Sequence, residues 1–290
     1  MTNRKPLELI KAQPASDGDG VKLLRVFGGA GPERFDPFLM LDEFGSNEAS
    51  DYIGGFPPHP HRGFETITYM LQGKMEHQDH MGNIGLLNDG DVQWMTAGRG
   101  VIHSEMPRQT EGRMRGFQLW LNLPAADKMQ PAQYRDVAAT DIPSYDVTGA
   151  TIKAIAGSAQ VDGQLLTGYL ERPSTNPLVW DIRLQPGKSL VLPAPQGLCV
   201  MAYVYEGQTQ VAGTAVNGQQ LLRLSGDGDV VSLENASTDE HCQILLLMGQ
   251  PLHEPIVQYG PFVMNSHAEI EQAISDYRAG NFTEEAASTT

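Results

Sequence analysis

Short apolar-rich runs, most of them with β-branched or aromatic residues, recur along most of the chain, at residues 66–71, 118–123, 178–184, 200–205, 230–233 and 243–248. Such residues suit a pleated, half-buried surface. Turn sequences fall between them: Asn88-Asp89-Gly90, Gln185-Pro186-Gly187 and Asp227-Gly228. Helical spacing is scarce. Its clearest instance is near the end, where Ile270, Ala273, Ile274 and Tyr277 follow the capping-box sequence Ser266-His267-Ala268-Glu269, and Gly280 supplies a stop. A shorter helical or irregular piece is expected at 125–135. Beyond the last helix the polar tail NFTEEAASTT is expected to be mobile. Many short strands with frequent turns predict an all-β sandwich or barrel.

The strand pattern repeats. TYMLQG (68–73) returns as AYVYEG (202–207), 134 residues later, and Asp89-Gly90-Asp91 returns as Asp227-Gly228-Asp229, 138 residues later. At the second offset His103 falls on His241. The chain therefore reads as two tandem β-barrels, 1–145 and 146–290, the second carrying the helix and tail.

Composition narrows the picture. The 31 Gly and 19 Pro fit tight turns between strands. Twenty Lys and Arg stand against 35 Asp and Glu, a net charge of −15, which argues against direct nucleic-acid binding because counterion release needs clustered cations. The two cysteines, Cys199 and Cys242, exclude a disulfide framework and a cysteine-rich zinc site. No apolar stretch is long enough for a signal peptide or a membrane span, so a cytoplasmic protein without membrane contact is expected.

The chemistry concentrates between Gly54 and Glu105. Residues i and i+2 of a strand share a face, so His59 and His61 point together, as do His103 and Glu105. Two such strands side by side would bring three imidazoles and a carboxylate together, a divalent-metal site with coordination positions to spare. Imidazole and carboxylate without thiolate suit Fe(II) first, and also Mn, Ni, Co or Cu, with Zn less favoured.

These segments resemble the two motifs of the cupin superfamily, and more closely the pirin family. The resemblance lies in GGFPPHPHRGFETITYMLQG (54–73), DGDVQWMTAGRGVIHSEMP (89–107), FDPFLMLDEFG (35–45), RGFQLWLNLP (115–124) and GQPLHEPIVQYGPFVMN (249–265). It implies two double-stranded β-helix (jelly-roll) barrels with a C-terminal helix. It also implies metal ligands at His59, His61, His103 and Glu105, leaving Glu65 in a supporting or structural role. One departure is Pro58, which stands where the pirin pattern carries an acidic residue before the first ligand.

In the second barrel the offsets put Pro193, Pro195 and Cys199 where the first has His59, His61 and Glu65, and Gln243 in place of Glu105, so that barrel is expected to be metal-free. The activity the resemblance implies is a metal-dependent dioxygenase that opens a quercetin-like flavonol ring with O₂ and releases carbon monoxide, with Glu105 as general base. The alternative is a metal- and redox-dependent regulatory protein acting through a protein partner, either a transcription factor or a metabolic enzyme. Another cupin reaction, such as an isomerisation, stays open.

Other residues have two readings. Met95 and Gln118 either line a pocket near the metal or pack the core, as do Trp94, Phe117 and Trp120. Arg62 and Arg99 either face an anionic substrate or sit at the rim. His77 and His80, flanking Asp79 before the Met81-Gly82-Asn83 turn, read as a solvated hairpin end. Gly187-Lys188-Ser189 and the Gly28–Gly31 run lack the context of phosphate-binding loops.

Overall fold

The computed structural model describes residues 1–29 and 31–284. Each of its two units has a seven-stranded and a four-stranded antiparallel sheet. In the first, the large sheet runs Gln133–Val137, Val92–Thr96, Phe64–Gln72, Met114–Asn122, Phe38–Ser46, Val21–Phe27 and Gln13–Asp17. Its small sheet runs Phe56–His61, Val101–Pro107, Met75–Asp79 and Ile84–Leu87. In the second unit the large sheet runs Pro6–Lys11, Gln220–Leu224, Cys199–Glu206, Cys242–Gly249, Leu178–Leu184, Ala150–Ala156 and Ser144–Val147. Its small sheet runs Ser189–Pro193, Val230–Glu234, Gln208–Val211 and Thr214–Asn217. The two orders match strand for strand except at one edge of the large sheets, where Gln133–Val137 follows the other strands of its unit in sequence and Pro6–Lys11 precedes those of its own. The chain therefore has the two cupin-type barrels that the sequence predicts.

The ends of the chain correct the expected division at 145/146. One unit is Met1–Gln13, Phe35–Pro37 and Thr140–Leu252; the other is Pro14–Arg34, Phe38–Ala139 and His253–Thr290. Pro6–Lys11 pairs with Gln220–Leu224 and so covers an edge of the later barrel's large sheet. The C-terminal helix His267–Ala279 belongs to the unit that contains the histidine segments. There Ile270 and Ala273 pack with Phe262 and Met264, and the Arg62 guanidinium bonds Asp276 Oδ2 at 2.7 Å. The helix is capped as its sequence predicts, with Ser266 Oγ accepting from Glu269 N–H and Gly280 in the left-handed conformation.

Three local expectations also change. Residues 125–135 form a short 3-10 turn, Ala125–Asp127, followed by the edge strand Gln133–Val137. The start of the polar tail is fixed, because Phe282 is buried against Phe262 and lies 4.4 Å beneath the Arg62 guanidinium; from residue 285 the tail lies outside the described residues. The 138-residue offset is one strand out of step. Val101–Pro107 corresponds to Val230–Glu234, whereas His241 precedes Cys242–Gly249, the counterpart of Met114–Asn122. The Asp-Gly-Asp turns that suggested that offset therefore precede different strands.

Candidate metal centre

The small sheet of the first unit assembles the site. Val101–Pro107 lies between Phe56–His61 and Met75–Asp79, with His103 directly opposite His59 and Val101 opposite His61. Alternation turns His59, His61 and His103 to one face. One ring nitrogen from each lies within 4.8 Å of the others. The ring centroids are 4.4 to 4.8 Å apart.

The rings are held in a state suited to a cation. Burial lowers the pKa of His59, and lowers those of His61 and His103 well below the usual imidazole value. The neighbouring imidazoles add to the effect in His61 and His103. All three are therefore neutral at ordinary pH, with lone pairs to give. His59 Nδ1 lies 2.8 Å from the Pro57 carbonyl, which can only accept, so the proton is on Nδ1 and Nε2 is free. The His59 ring is thus oriented by the backbone of Pro57, while Pro58 is exposed. His103 Nε2 is buried with no hydrogen-bond partner among the described residues. A divalent ion would satisfy these nitrogens.

Glu105 faces the same cavity but stands outside the cluster of three imidazoles. Burial raises its pKa to about 7, partly offset by a hydrogen bond from Thr68. Thr68 Oγ1 is 3.0 Å from Glu105 Oε1 and 2.6 Å from Gln118 Oε1. Thr68 belongs to a polar row across the large sheet, whose successive cross-strand partners are Arg25, Asp42, Gln118, Thr68 and Gln93. Arg25 closes this row with a two-point ion pair to buried Asp42, at 2.9 and 2.8 Å. The cavity is about 710 Å³; Met40, Phe44, Phe56 and Trp120 supply apolar wall, and Asp42, Gln118 and Glu105 polar wall.

Of the remaining residues singled out from sequence, Gln118 lines the cavity and Met95, Arg62 and Glu65 do not. Met95 packs with Ala97 and Val101. Arg62 turns to the C-terminal segment, binding Asp276 and the carbonyls of Phe282 and Arg99. Glu65 differs in parity from Thr68 along Phe64–Gln72, and so stands on the opposite face, where it accepts from Thr96 Oγ1 at 2.6 Å. Arg99 does not line the cavity either.

His77 overturns its reading as a solvated residue. It is 1% exposed, and burial lowers its pKa to about 4. Asp79 instead closes the hairpin, accepting from the N–H groups of Met81 and Asn83. The signal was available in sequence: Met75, His77 and Asp79 alternate with Glu76 and Gln78, and the three odd positions are the buried ones. Thr68, Asp42 and Arg25 were missed because the row they form depends on register between strands distant in sequence.

The wider family agrees with this architecture. The pirin family profile matches residues 20–121, and that of the pirin C-terminal cupin domain matches 179–283. A Pseudomonas aeruginosa protein provisionally named quercetin 2,3-dioxygenase is 52% identical over 281 residues, spanning 96% of this chain and 97% of that protein. A pirin-like protein of Caulobacter vibrioides is 44% identical over 97% of this chain and 100% of its own length. The solved structure of a quercetin 2,3-dioxygenase from Acinetobacter baumannii is 36% identical and superposes with a TM-score of 0.88, covering 97% of this chain and 98% of that one. Matched in both barrels by the family's profiles, and along nearly its whole length by these relatives, the chain belongs to the pirin family.

Proposed function

We propose that this protein is a metal-dependent dioxygenase that opens a flavonol ring with O₂ and releases carbon monoxide. The observation that carries the reading is the trio of neutral imidazoles His59, His61 and His103, the first two of which line a cavity of about 710 Å³. The relatives provisionally named for this activity support it. His59, His61, His103 and Glu105 are the residues to hold the metal, with Fe(II) fitting a donor set of imidazole and carboxylate. When bound, the ion supplies Lewis acidity toward a substrate hydroxyl and open positions for exchange of ligands.

The chain's own residues do the rest. Phe56 and Trp120 give the cavity aromatic wall on which a flat aromatic ring system would pack. Glu105, with a pKa of about 7, accepts the proton of the substrate hydroxyl. Thr68 donates to that carboxylate, and a turned Gln118 amide can donate to the Thr68 oxygen, which leaves the Thr68 hydroxyl proton directed at Glu105. Asp17, Asp19 and Asp42 in the wall outnumber Arg25, which favours an uncharged polyhydroxylated substrate over an anion.

The test is to strip the purified protein of metal and reload it separately with Fe(II), Mn(II), Ni(II), Co(II) and Cu(II). Loss of quercetin absorbance under O₂ is then followed, together with the carbon monoxide released. Turnover is expected with at least one ion and is expected to vanish in His103→Ala. No turnover with any of them would sink the proposal.

A further inference from the structure

The buried imidazole of His77 has no part in the chemistry proposed above, yet it touches a ligand. Its strand, Met75–Asp79, pairs with the strand of His103. His77 Nδ1 is 3.3 Å from His103 Nδ1, and the two ring centroids are 4.9 Å apart. The His77 ring also stacks on Tyr134, 4.7 Å away and tilted by 30°, which fixes its plane.

Two ring nitrogens that face one another at this distance need one proton between them. Two lone pairs repel, and two N–H groups clash. Of the two arrangements, one has His77 donating, which leaves His103 with its proton on Nε2 and no lone pair to give a metal. In the other, His103 Nδ1–H donates to the Nδ1 lone pair of His77, and His103 Nε2 is free. Each arrangement leaves one Nε2–H buried without a partner among the described residues, on His103 in the first and on His77 in the second, so it is the lone pair at His103 Nε2 that sets the second apart. Metal-bound histidines commonly give their second N–H to a carboxylate, a carbonyl or water. Here the acceptor is another imidazole.

We propose that His77 is a positioning residue that accepts the Nδ1 proton of His103 and holds it in the tautomer and orientation that bind metal. The inference rests on the metal reading above, and the experiment separates the two. Wild type, His103→Ala, His77→Asn, His77→Gln and His77→Phe are stripped of metal and titrated with Co(II) against a chromophoric chelator. The visible ligand-field spectrum is recorded alongside, as is thermal unfolding of each metal-free protein. Asn places its Oδ1 near the position of His77 Nδ1, whereas Gln reaches toward Nε2 and Phe keeps only the stacking. His77→Gln and His77→Phe are expected to weaken Co(II) binding by roughly 10–100-fold, the loss typical of a partner that orients a ligand. His77→Asn is expected to stay close to wild type in affinity and spectrum.

If His77→Phe binds Co(II) as tightly as wild type, or if His77→Asn loses as much as His77→Phe, the acceptor role is overturned while the metal site stands. If wild type takes up no more Co(II) than His103→Ala, both readings fall. Should His77→Phe lose its unfolding transition, the contrast between Asn and Gln decides alone.

Discussion

The two barrels share a strand order and differ in what faces inward. In the first, the row through Thr68 reads Arg25, Asp42, Gln118, Thr68 and Gln93 across five strands. In the second, the row through Ala202, which occupies the place of Thr68 in the 134-residue repeat, reads Ala154, Trp180, Leu246, Ala202 and Leu222. The small sheets differ in the same way. His59 faces His103 and His61 faces Val101 in one, whereas Leu192 faces Val231 and Leu190 faces Leu233 in the other. All nine of the second unit's residues here belong to one apolar core. The same scaffold therefore holds a cavity with neutral imidazoles where its inward positions are polar, and a filled interior where they are apolar. The difference lies in side chains alone, as expected where function is carried by a site placed on a fold.

The widest gap between the barrels should appear in stability. Trp180 is fully buried in the filled interior, whereas Trp120 lines the cavity. Trp180→Ala is expected to cost about 3–5 kcal/mol, as large-to-small core changes do. Trp120→Ala should cost less than half of that, because its neighbours already border open space. Urea unfolding of both variants checks this, and equal costs would break the contrast. For metal binding the direction reverses. His103→Ala should weaken metal affinity by more than about 100-fold, since a direct ligand contributes at least as much as the orienting partners that are worth about 10–100-fold. Replacing Val231 with Ala should leave metal content unchanged; elemental analysis and chelator competition read both.

A paired exchange sharpens the comparison at one position of the repeat. Thr68→Val removes the hydroxyl between Glu105 and Gln118 and should destabilise the protein by about 1–3 kcal/mol, the cost of leaving buried polar atoms unpaired. Ala202→Ser inserts a hydroxyl into an apolar row and should cost a similar ~1–3 kcal/mol for the opposite reason. If Ala202→Ser is neutral in a denaturation curve, the second interior is less tightly filled than it looks.

The smallest effects are those of pH on the metal-free protein. The pKa values of His59, His61, His77 and His103 are lowered in the folded state, that of His77 from 6.5 to about 4. The unfolded chain therefore takes up protons first, and their contribution to stability, full above pH 6.5, is lost as pH falls toward 4. In the second barrel the Cys199 and Cys242 thiols are raised from 9 to about 12 by burial. Their contribution is full below pH 9 and is lost as pH rises from 9 toward 12, because the unfolded thiols ionise first. Denaturation midpoints from pH 4 to 11 should fall at both ends. Replacing the four histidines with Gln should flatten the acid limb and leave the alkaline one, and Cys242→Ser should ease only the alkaline limb. An acid limb unchanged in the histidine variant would mean that these rings are not held neutral by burial.

Much of this was legible along the chain. The i, i+2 spacing of His59 with His61 announced two imidazoles on one strand face, and the capping box at Ser266 announced the C-terminal helix, because both depend on neighbours within four residues. The 134-residue repeat exposed the duplicated barrel. The 138-residue offset misled because an Asp-Gly-Asp turn serves any strand connection, so it cannot say which strand follows. Arg62 was misplaced for a related reason. A cation next to a metal ligand reads the same whichever way it points, and its partners Asp276 and Phe282 lie more than 200 residues away.

By itself, then, the sequence determined the strand content, the helix and the shared strand face of His59 and His61, all written in local periodicity, and the duplication, written in the 134-residue repeat. The tertiary structure decided which strands lie side by side, and with that the row from Arg25 to Gln93, the burial of His77 against His103, and the placing of each chain end with one barrel or the other. Cross-strand pairing joins residues tens to hundreds of positions apart, and no local pattern encodes the register that brings them together.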